Sequence, residues 1–431
     1  MRTIWALVFI LSFSFCANAE QPAFKIFRAE KIRLNKSSFA PGDEIAVMID
    51  QVCVAKNKRV KHKTSLQKFE AIVVRISGHQ TREEIAAEVA SNPCVIGVAE
   101  NARVFTQGDP LAAQQLHLPA INASGGESYF FHPLFGIRAT VNIAVVDSGV
   151  QLDHPDLVTR LWSGPSGEHG IDLVNNDSDP SDDFGHGTHV SGLICAQKDN
   201  GIGVRGIMGE WSKLMAIKTQ GPDGTGDIAT VVNGIRWAVD HGAEVMNLSL
   251  ASRGQNALLE DALQYAVDHG VTVATASGND GEEITAANFF SPIGYAAGLA
   301  GLIGVGAIDY TTLSRANYSN YGANFVEIAA PASHGVDGLL STYLGSTYKL
   351  EAGTSMASPQ VAGAAALVKG FMKSRSQAVT PAQIESFIES AAIQNSQNYS
   401  FFANGRALNL ENLGKLIFNS TVVDSGGGFD D

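Results

Sequence analysis

Cysteine is scarce in this chain: four residues in 431, at Cys16, Cys53, Cys94 and Cys195. A scaffold knitted by disulfides is therefore excluded, and a chain of this length can build a core without one. Long apolar runs are also missing. Beyond the first 19 residues none approaches the ~20 residues that span a bilayer, so no membrane span is expected. Positive charge is in deficit as well, with 30 Lys+Arg against 43 Asp+Glu and a net charge of -13. Such a balance argues against a nucleic-acid partner.

The charge deficit is uneven. Residues 20–108 carry 14 basic and 10 acidic side chains, whereas residues 109–431 carry 15 and 33. A basic front segment and an acidic main segment attract each other, which suits an intramolecular chaperone or inhibitor. Ahead of both, residues 1–19 read as a signal peptide. Arg2 is followed by the apolar run Ile4 to Phe15, and Ala17-Asn18-Ala19 has the small-x-small form of a cleavage site. Phe15 before Cys16 argues against a lipid-anchored cysteine. Cys53 and Cys94 are free to pair after export, and Cys195 reads as a buried, inert thiol in a helix.

Residues 20–108 read as a small α+β domain. Glu70 to Ile76, Val95 to Val98 and Ala102 to Phe105 are predicted strands. Thr81 to Ala90 is a predicted helix with Thr81 and Glu84 as a capping box. The basic run Lys56 to Lys63 reads as a solvated loop or a processing site. From residue 109 the pattern becomes an alternation of strands and helices. Predicted strands cover 141–146, 214–218, 244–249 and 271–276, with helices over 187–196, 229–240, 257–268 and 381–391. That alternation predicts a mainly parallel sheet between helices, a three-layer α/β fold. Residues 109–415 form this domain, and 416–431 are expected to be a disordered tail, Gly- and Asp-rich from Asp424.

Three polar groups stand at the ends of these elements. Asp147 ends the β-branched run 141–146, at the carboxyl edge where open parallel sheets gather function. His186 opens a helix between Gly185 and Gly187. Ser355 lies in Gly353-Thr354-Ser355-Met356-Ala357-Ser358-Pro359, at the mouth of a small-residue helix. Each has a plain structural reading as a turn, core or capping residue. Together they form a candidate triad, with His186 as base for a Ser355 nucleophile and Asp147 orienting the imidazole. Asn279, just past a strand and after Gly278, would join the Ser355 N–H in stabilising an oxyanion.

With these motifs in place the chain resembles a secreted subtilisin-type (subtilase) serine protease. The aspartate motif is Val145-Val146-Asp147-Ser148-Gly149-Val150, and the histidine motif is Gly185-His186-Gly187-Thr188-His189-Val190-Ser191-Gly192. They occur with the serine motif in the order known for that family. The resemblance spans about Asp109 to Leu410. It implies a serine endopeptidase acting on polypeptides, made as an autoprocessed zymogen and exported to the medium or periplasm. It also implies a monomer whose front segment is its propeptide, released by cleavage between Val104 and Gln107.

Further roles follow from the resemblance, residue by residue. Ser249, Leu250 and Ala251 match the strand that pairs with an extended substrate, and Gly224 lies in the loop of the opposite rim. Asp156, Asp199 and Gln115 match the surroundings of a structural calcium ion; the alternative is a loop tied by hydrogen bonds alone. No cofactor is implied for catalysis. Ala251, Ala332 and Gln360 depart from common family residues. Asn288-Phe289-Phe290-Ser291-Pro292 comes near the expected floor of the specificity pocket, where a ring would favour small or medium side chains; core packing of both rings is the favoured reading, and no specificity is assigned. A catalytically silent fold and an esterase are the rival readings. The four filled positions disfavour the first, and the absence of a Gly-x-Ser-x-Gly elbow disfavours the second.

Overall fold

In the computed structural model the described residues are 32–33, 38–39, 44–50, 69–75, 80–81 and 95–100, then 108–132 and 136–423. The chain divides into two compact units, Met1–Phe105 and Thr106–Asp431. The leader, the predicted helix after Thr81, the Lys56 to Lys63 run, Cys53, Cys94 and the expected cleavage point lie outside the described residues.

The first unit contains β1 (Ile32–Arg33), β2 (Ser38–Phe39), β3 (Glu44–Asp50), β4 (Phe69–Arg75), β5 (Gln80–Thr81) and β6 (Val95–Glu100). Four of them form a sheet in the order β1-β6-β3-β4. The strands expected near 70–76 and 95–98 are β4 and β6.

The second unit begins with α1 (His117–Ala120), α2 (Ala123–Phe130), β7 (Val141–Asp147), β8 (Gly170–Asp172), α3 (His186–Cys195) and β9 (Ser212–Lys218). It continues with α4 (Ile228–Asp240), β10 (Val245–Leu248), β11 (Ser252–Arg253), α5 (Ala257–Asp268), β12 (Thr272–Ala276) and β13 (Phe290–Ser291). Next come β14 (Leu302–Asp309), β15 (Ile328–Ser333), β16 (Leu339–Tyr343), β17 (Thr347–Glu351), α6 (Thr354–Lys373) and α7 (Pro381–Ala391). β18 (Ile393–Gln394), β19 (Arg406–Ala407) and α8 (Leu410–Val423) complete it.

Nine strands form one sheet in the order β18-β19-β15-β14-β12-β10-β7-β9-β8, parallel except where β18 meets β19. β7 lies where the order reverses, with β9 and β8 on one side and β10 onward on the other. A parallel sheet covered on both faces selects apolar side chains at every position. In β7, Ile143 and Val145 face the layer that holds α3 and α6. Ala144 and Val146 face the layer of α4 and α5. Only small residues let α6 lie so close to the sheet, and its middle reads Ala362-Gly363-Ala364-Ala365-Ala366, all buried.

Cys195 is buried and unpaired, as expected. The expectation of a tail from residue 416 is corrected: α8 continues to Val423, and Leu413 and Ile417 are fully buried. Apolar spacing over 410–417 keeps that helix on the core, whereas residues 424–431 lie outside the described set. Among the described residues no helix is long and apolar enough to cross a membrane.

Candidate active site

Asp147 ends β7 with no exposed surface. Its Oδ1 accepts from the Ser148 N–H and from His186 Nδ1, each at 2.8 Å. The histidine is placed by tight turns. Gly185 has φ +106°, and a Cβ on Gly187 would fall 2.2 Å from the Gly149 carbonyl, so both positions require glycine. Asp182 braces this loop. It accepts from the Ser148 hydroxyl at 2.9 Å and from the Phe184 and Gly185 N–H groups, and its other oxygen accepts from Thr188.

Behind the pair lies Lys218, in register with Asp147 on β9 and 1% exposed. Its ammonium donates to the Asp183 carboxylate at 2.5 Å and to the carbonyls of Ser148 and Gln220. A buried cation requires such saturation. These contacts tie the segment before His186 to the segment after Asp147. Nothing in the local sequence around Lys218 pointed to this role.

His186 is one-fifth exposed. Burial works against its charged form, but the Asp147 carboxylate outweighs it, by charge and by hydrogen bond, and raises the imidazole pKa to about 9.

Ser355 sits in the first turn of α6. Gly353 precedes the helix at φ +145°, a conformation closed to side chains, and turns the chain sharply into it. The Ser355 hydroxyl donates to the Ser249 carbonyl at 3.3 Å. Asn279 faces the same helix mouth. Its Oδ1 accepts from the Thr354 N–H at 2.8 Å and from the Thr354 hydroxyl at 3.0 Å. With the carbonyl end held, the Asn279 amide nitrogen is the end left to donate.

His186, Ser355 and Asn279 line one cleft of about 590 Å³. Ser249, Leu250 and Ala251 line it too, as does Gly224. Gly224 is at φ +73°, against the Phe184 ring, where a Cβ would clash. The structure thus brings together every residue expected at a catalytic or peptide-binding position. The two phenylalanines pack in the core, the favoured of their two readings. Phe290 is buried with Ile284, Ile293 and Val326, under the Arg253 guanidinium at 4.6 Å. Phe289 packs edge-on against Tyr295. Of the atypical residues, Gln360 is buried and its amide donates to the carbonyls of Pro331 and Met356.

Loop 198–204, expected to hold calcium, lies close to Asp156 and Gln115, whose side-chain oxygens accept from protein donors. Asp156 Oδ1 accepts from Asn200 Nδ2 at 2.8 Å, and Oδ2 accepts from the Val204 N–H at 3.0 Å and the Tyr348 hydroxyl at 2.9 Å. Gln115 Oε1 accepts from the Arg205 N–H. The Asp199 side chain is 47% exposed and beside the Lys198 ammonium. Among the described residues no group of three or more His, Cys, Asp or Glu could hold a metal ion. These side-chain oxygens, each accepting from a protein donor, do not fit a hard cation, which takes six to eight oxygen ligands.

Comparison with known proteins agrees with this geometry. The model of the subtilase family (Peptidase S8) matches residues 138–415. An alkaline protease of Alkalihalobacillus alcalophilus is 36% identical over 322 residues, 74% of this chain and 75% of that protein. Subtilisin BL of Lederbergia lenta is 43% identical over 229 residues, covering 53% and 76%. Among solved structures, a cold adapted subtilisin-like serine proteinase is 30% identical with a TM-score of 0.50, covering 63% of this chain and 89% of that one. A protease of Pseudoalteromonas arctica is 27% identical with a TM-score of 0.60, covering 73% and 100%. The chain belongs to the subtilase family, and it is a serine endopeptidase with the subtilisin-like fold.

Proposed function

We propose that Asp147, His186 and Ser355 are the catalytic triad of this endopeptidase and that peptide bonds are cut through an acyl-enzyme. The observation that carries this is the 2.8 Å bond from His186 Nδ1–H to the buried Asp147, with His186 and Ser355 lining one cleft. Because Nδ1 holds its proton on Asp147, the other ring nitrogen is the base. It takes the Ser355 proton as the hydroxyl oxygen attacks the scissile carbonyl, then gives that proton to the departing amine. Water repeats the sequence on the ester. The Ser355 N–H, at the positive end of α6, and Asn279 Nδ2 receive the negative oxygen.

The polypeptide lies extended between Ser249–Ala251 and the rim at Gly224, adding a strand by backbone pairing. The chain is exported, and residues 20–108 act as a basic inhibitor and folding aid that the enzyme removes itself, between Val104 and Gln107. Ser355→Ala tests both halves of the proposal. It should leave a folded protein with no casein hydrolysis and an unprocessed precursor. Normal hydrolysis by that variant would defeat the mechanism. N-terminal sequencing of the active wild-type species should find a start near residue 108, and an intact front segment would sink the processing scheme.

A further inference from the structure

We infer that loop 198–204 is locked onto Asp156 by protein donors alone, with the Tyr348 hydroxyl standing where the family resemblance leads one to expect a calcium ion. Asp156 is fully buried and follows the turn at Asp153-His154-Pro155. An unpaired carboxylate there would be destabilising, so its lone pairs require positive partners. A divalent cation is one solution. The other is a set of N–H and O–H donors, and this chain supplies three: Asn200 Nδ2, the Val204 N–H and Tyr348 Oη.

Two oxygens of the loop itself are taken in the same way. Asn200 Oδ1 accepts from the Ile202 N–H at 2.7 Å, and the Gly203 carbonyl accepts from the Leu111 N–H at 2.8 Å. The Gln115 amide bonds Arg205 at both its oxygen and its nitrogen. Asp109 accepts from the Asp199 and Asn200 N–H groups. Two cations flank the loop besides, Lys198 and Arg205, both bound to Glu127 at 2.6 and 2.7 Å.

Tyr348 is built into this position. Its ring lies over Gly203, where a Cβ would fall 2.0 Å from ring atoms, so only glycine admits it. His154 meets the ring edge-on at 5.4 Å, and its Nδ1 accepts from the Asp156 N–H. The other His154 nitrogen reaches the Thr347 carbonyl at 3.2 Å, next to the tyrosine in β17. Burial, and then the bond to Asp156, raise the phenol above its ordinary range, so it remains a donor throughout the working pH range. The lock therefore joins Asp156, the loop and the hairpin of β16 and β17 that leads into Ser355.

The test uses the full chain carrying Ser355→Ala to prevent autolysis. Melting temperatures are measured in excess EDTA and in excess calcium chloride, for this parent and for added Tyr348→Phe or Asp156→Asn. Removing the hydroxyl alone should lower the melting temperature by a few degrees, equally in both solutions. Any difference between calcium and EDTA should be the same in Asp156→Asn as in the parent. Two results would overturn the inference. One is a calcium increment that shrinks in Asp156→Asn. The other is a Tyr348→Phe protein as stable as the parent in either solution. If Asp156→Asn fails to fold, the tyrosine comparison still decides.

Discussion

The hydroxyl of Ser249 donates to the carbonyl of Ser355 at 2.9 Å. In an uninterrupted helix that carbonyl would accept the N–H four residues on. Here that residue is Pro359, which has none. Ser249 replaces the lost bond and ties the segment after β10 to the candidate nucleophile. Asn247 donates to the same Ser249 hydroxyl at 2.9 Å and accepts from Ser358 at 2.7 Å. The first turn of α6 is thus held from β10 at two points.

Asn247→Ala breaks this relay: the Ser358 hydroxyl loses its acceptor and the Ser249 hydroxyl the donor that orients it. The cost to stability should be about 1–3 kcal/mol. Turnover should fall by roughly tenfold, because displacement of the attacking oxygen affects the reaction more than binding. Steady-state kinetics on a peptide substrate separate the two effects. A change in KM with kcat intact would show that the relay serves binding instead.

Asn279→Ala removes the proposed side-chain oxyanion donor while Thr354 keeps its backbone place in α6. The expected loss in kcat is ~10²–10³, a magnitude established on a subtilisin and carried over here, with little change in KM. A loss confined to KM would remove Asn279 from the oxyanion role.

Activity should be alkaline. His186 is a base only when neutral, and its conjugate acid titrates near 9 after burial is outweighed by the Asp147 charge. Below that pH kcat/KM should fall about tenfold per unit, and above it the profile should level off. Asp147→Asn removes the charge, so the residual activity should titrate at lower pH. A limb that stays in place in Asp147→Asn would show that another group governs the profile.

Stability has its own pH dependence. Glu385 lies partly buried on α7 and accepts from the N–H of Gly301, just before β14, at 2.6 Å. Burial, aided by the Glu389 charge, pushes its carboxyl up to about 7, from 4.5 in the unfolded chain. Below about 4.5 both states hold the proton and nothing changes. As pH rises through 7 the native state must carry a charge it disfavours, and stability is lost. Glu385→Gln should therefore raise the melting temperature near pH 9 and leave it unchanged near pH 4. Equal shifts at both values would mean that the charge is not responsible.

The sequence was a good guide wherever the physics is local. A β-branched run ending in an acid is a buried strand with a functional tip. The helix expected over 381–391 is α7, which opens with a capping box of Thr380 and Gln383. The positions of Asp147, His186, Ser355 and Asn279 were readable because each stands at an element end, marked by glycines with defined turn geometry. One further signal went unused. Asn247 and Ser249 alternate along an otherwise apolar strand, and period two places both on one face, toward α6.

Other features carry no local mark. β14 and β15 went unassigned, and Gly304, Gly306 and Pro331 interrupt their apolar pattern. Phe290 packs in the core, the reading its sequence favoured, but the Arg253 guanidinium over its ring has no local mark.

What the sequence by itself determined is the family, the layered α/β fold and the residues of the candidate site, because periodicity, caps and turn glycines act over a few residues. Tertiary structure alone decided which groups meet across the chain. Lys218 reaches Asp183, Ser249 takes the carbonyl that Pro359 leaves free, and Tyr348 reaches Asp156 over 192 residues of sequence. Such pairs form because buried polar groups must find partners, and the folded backbone determines which partners are within reach.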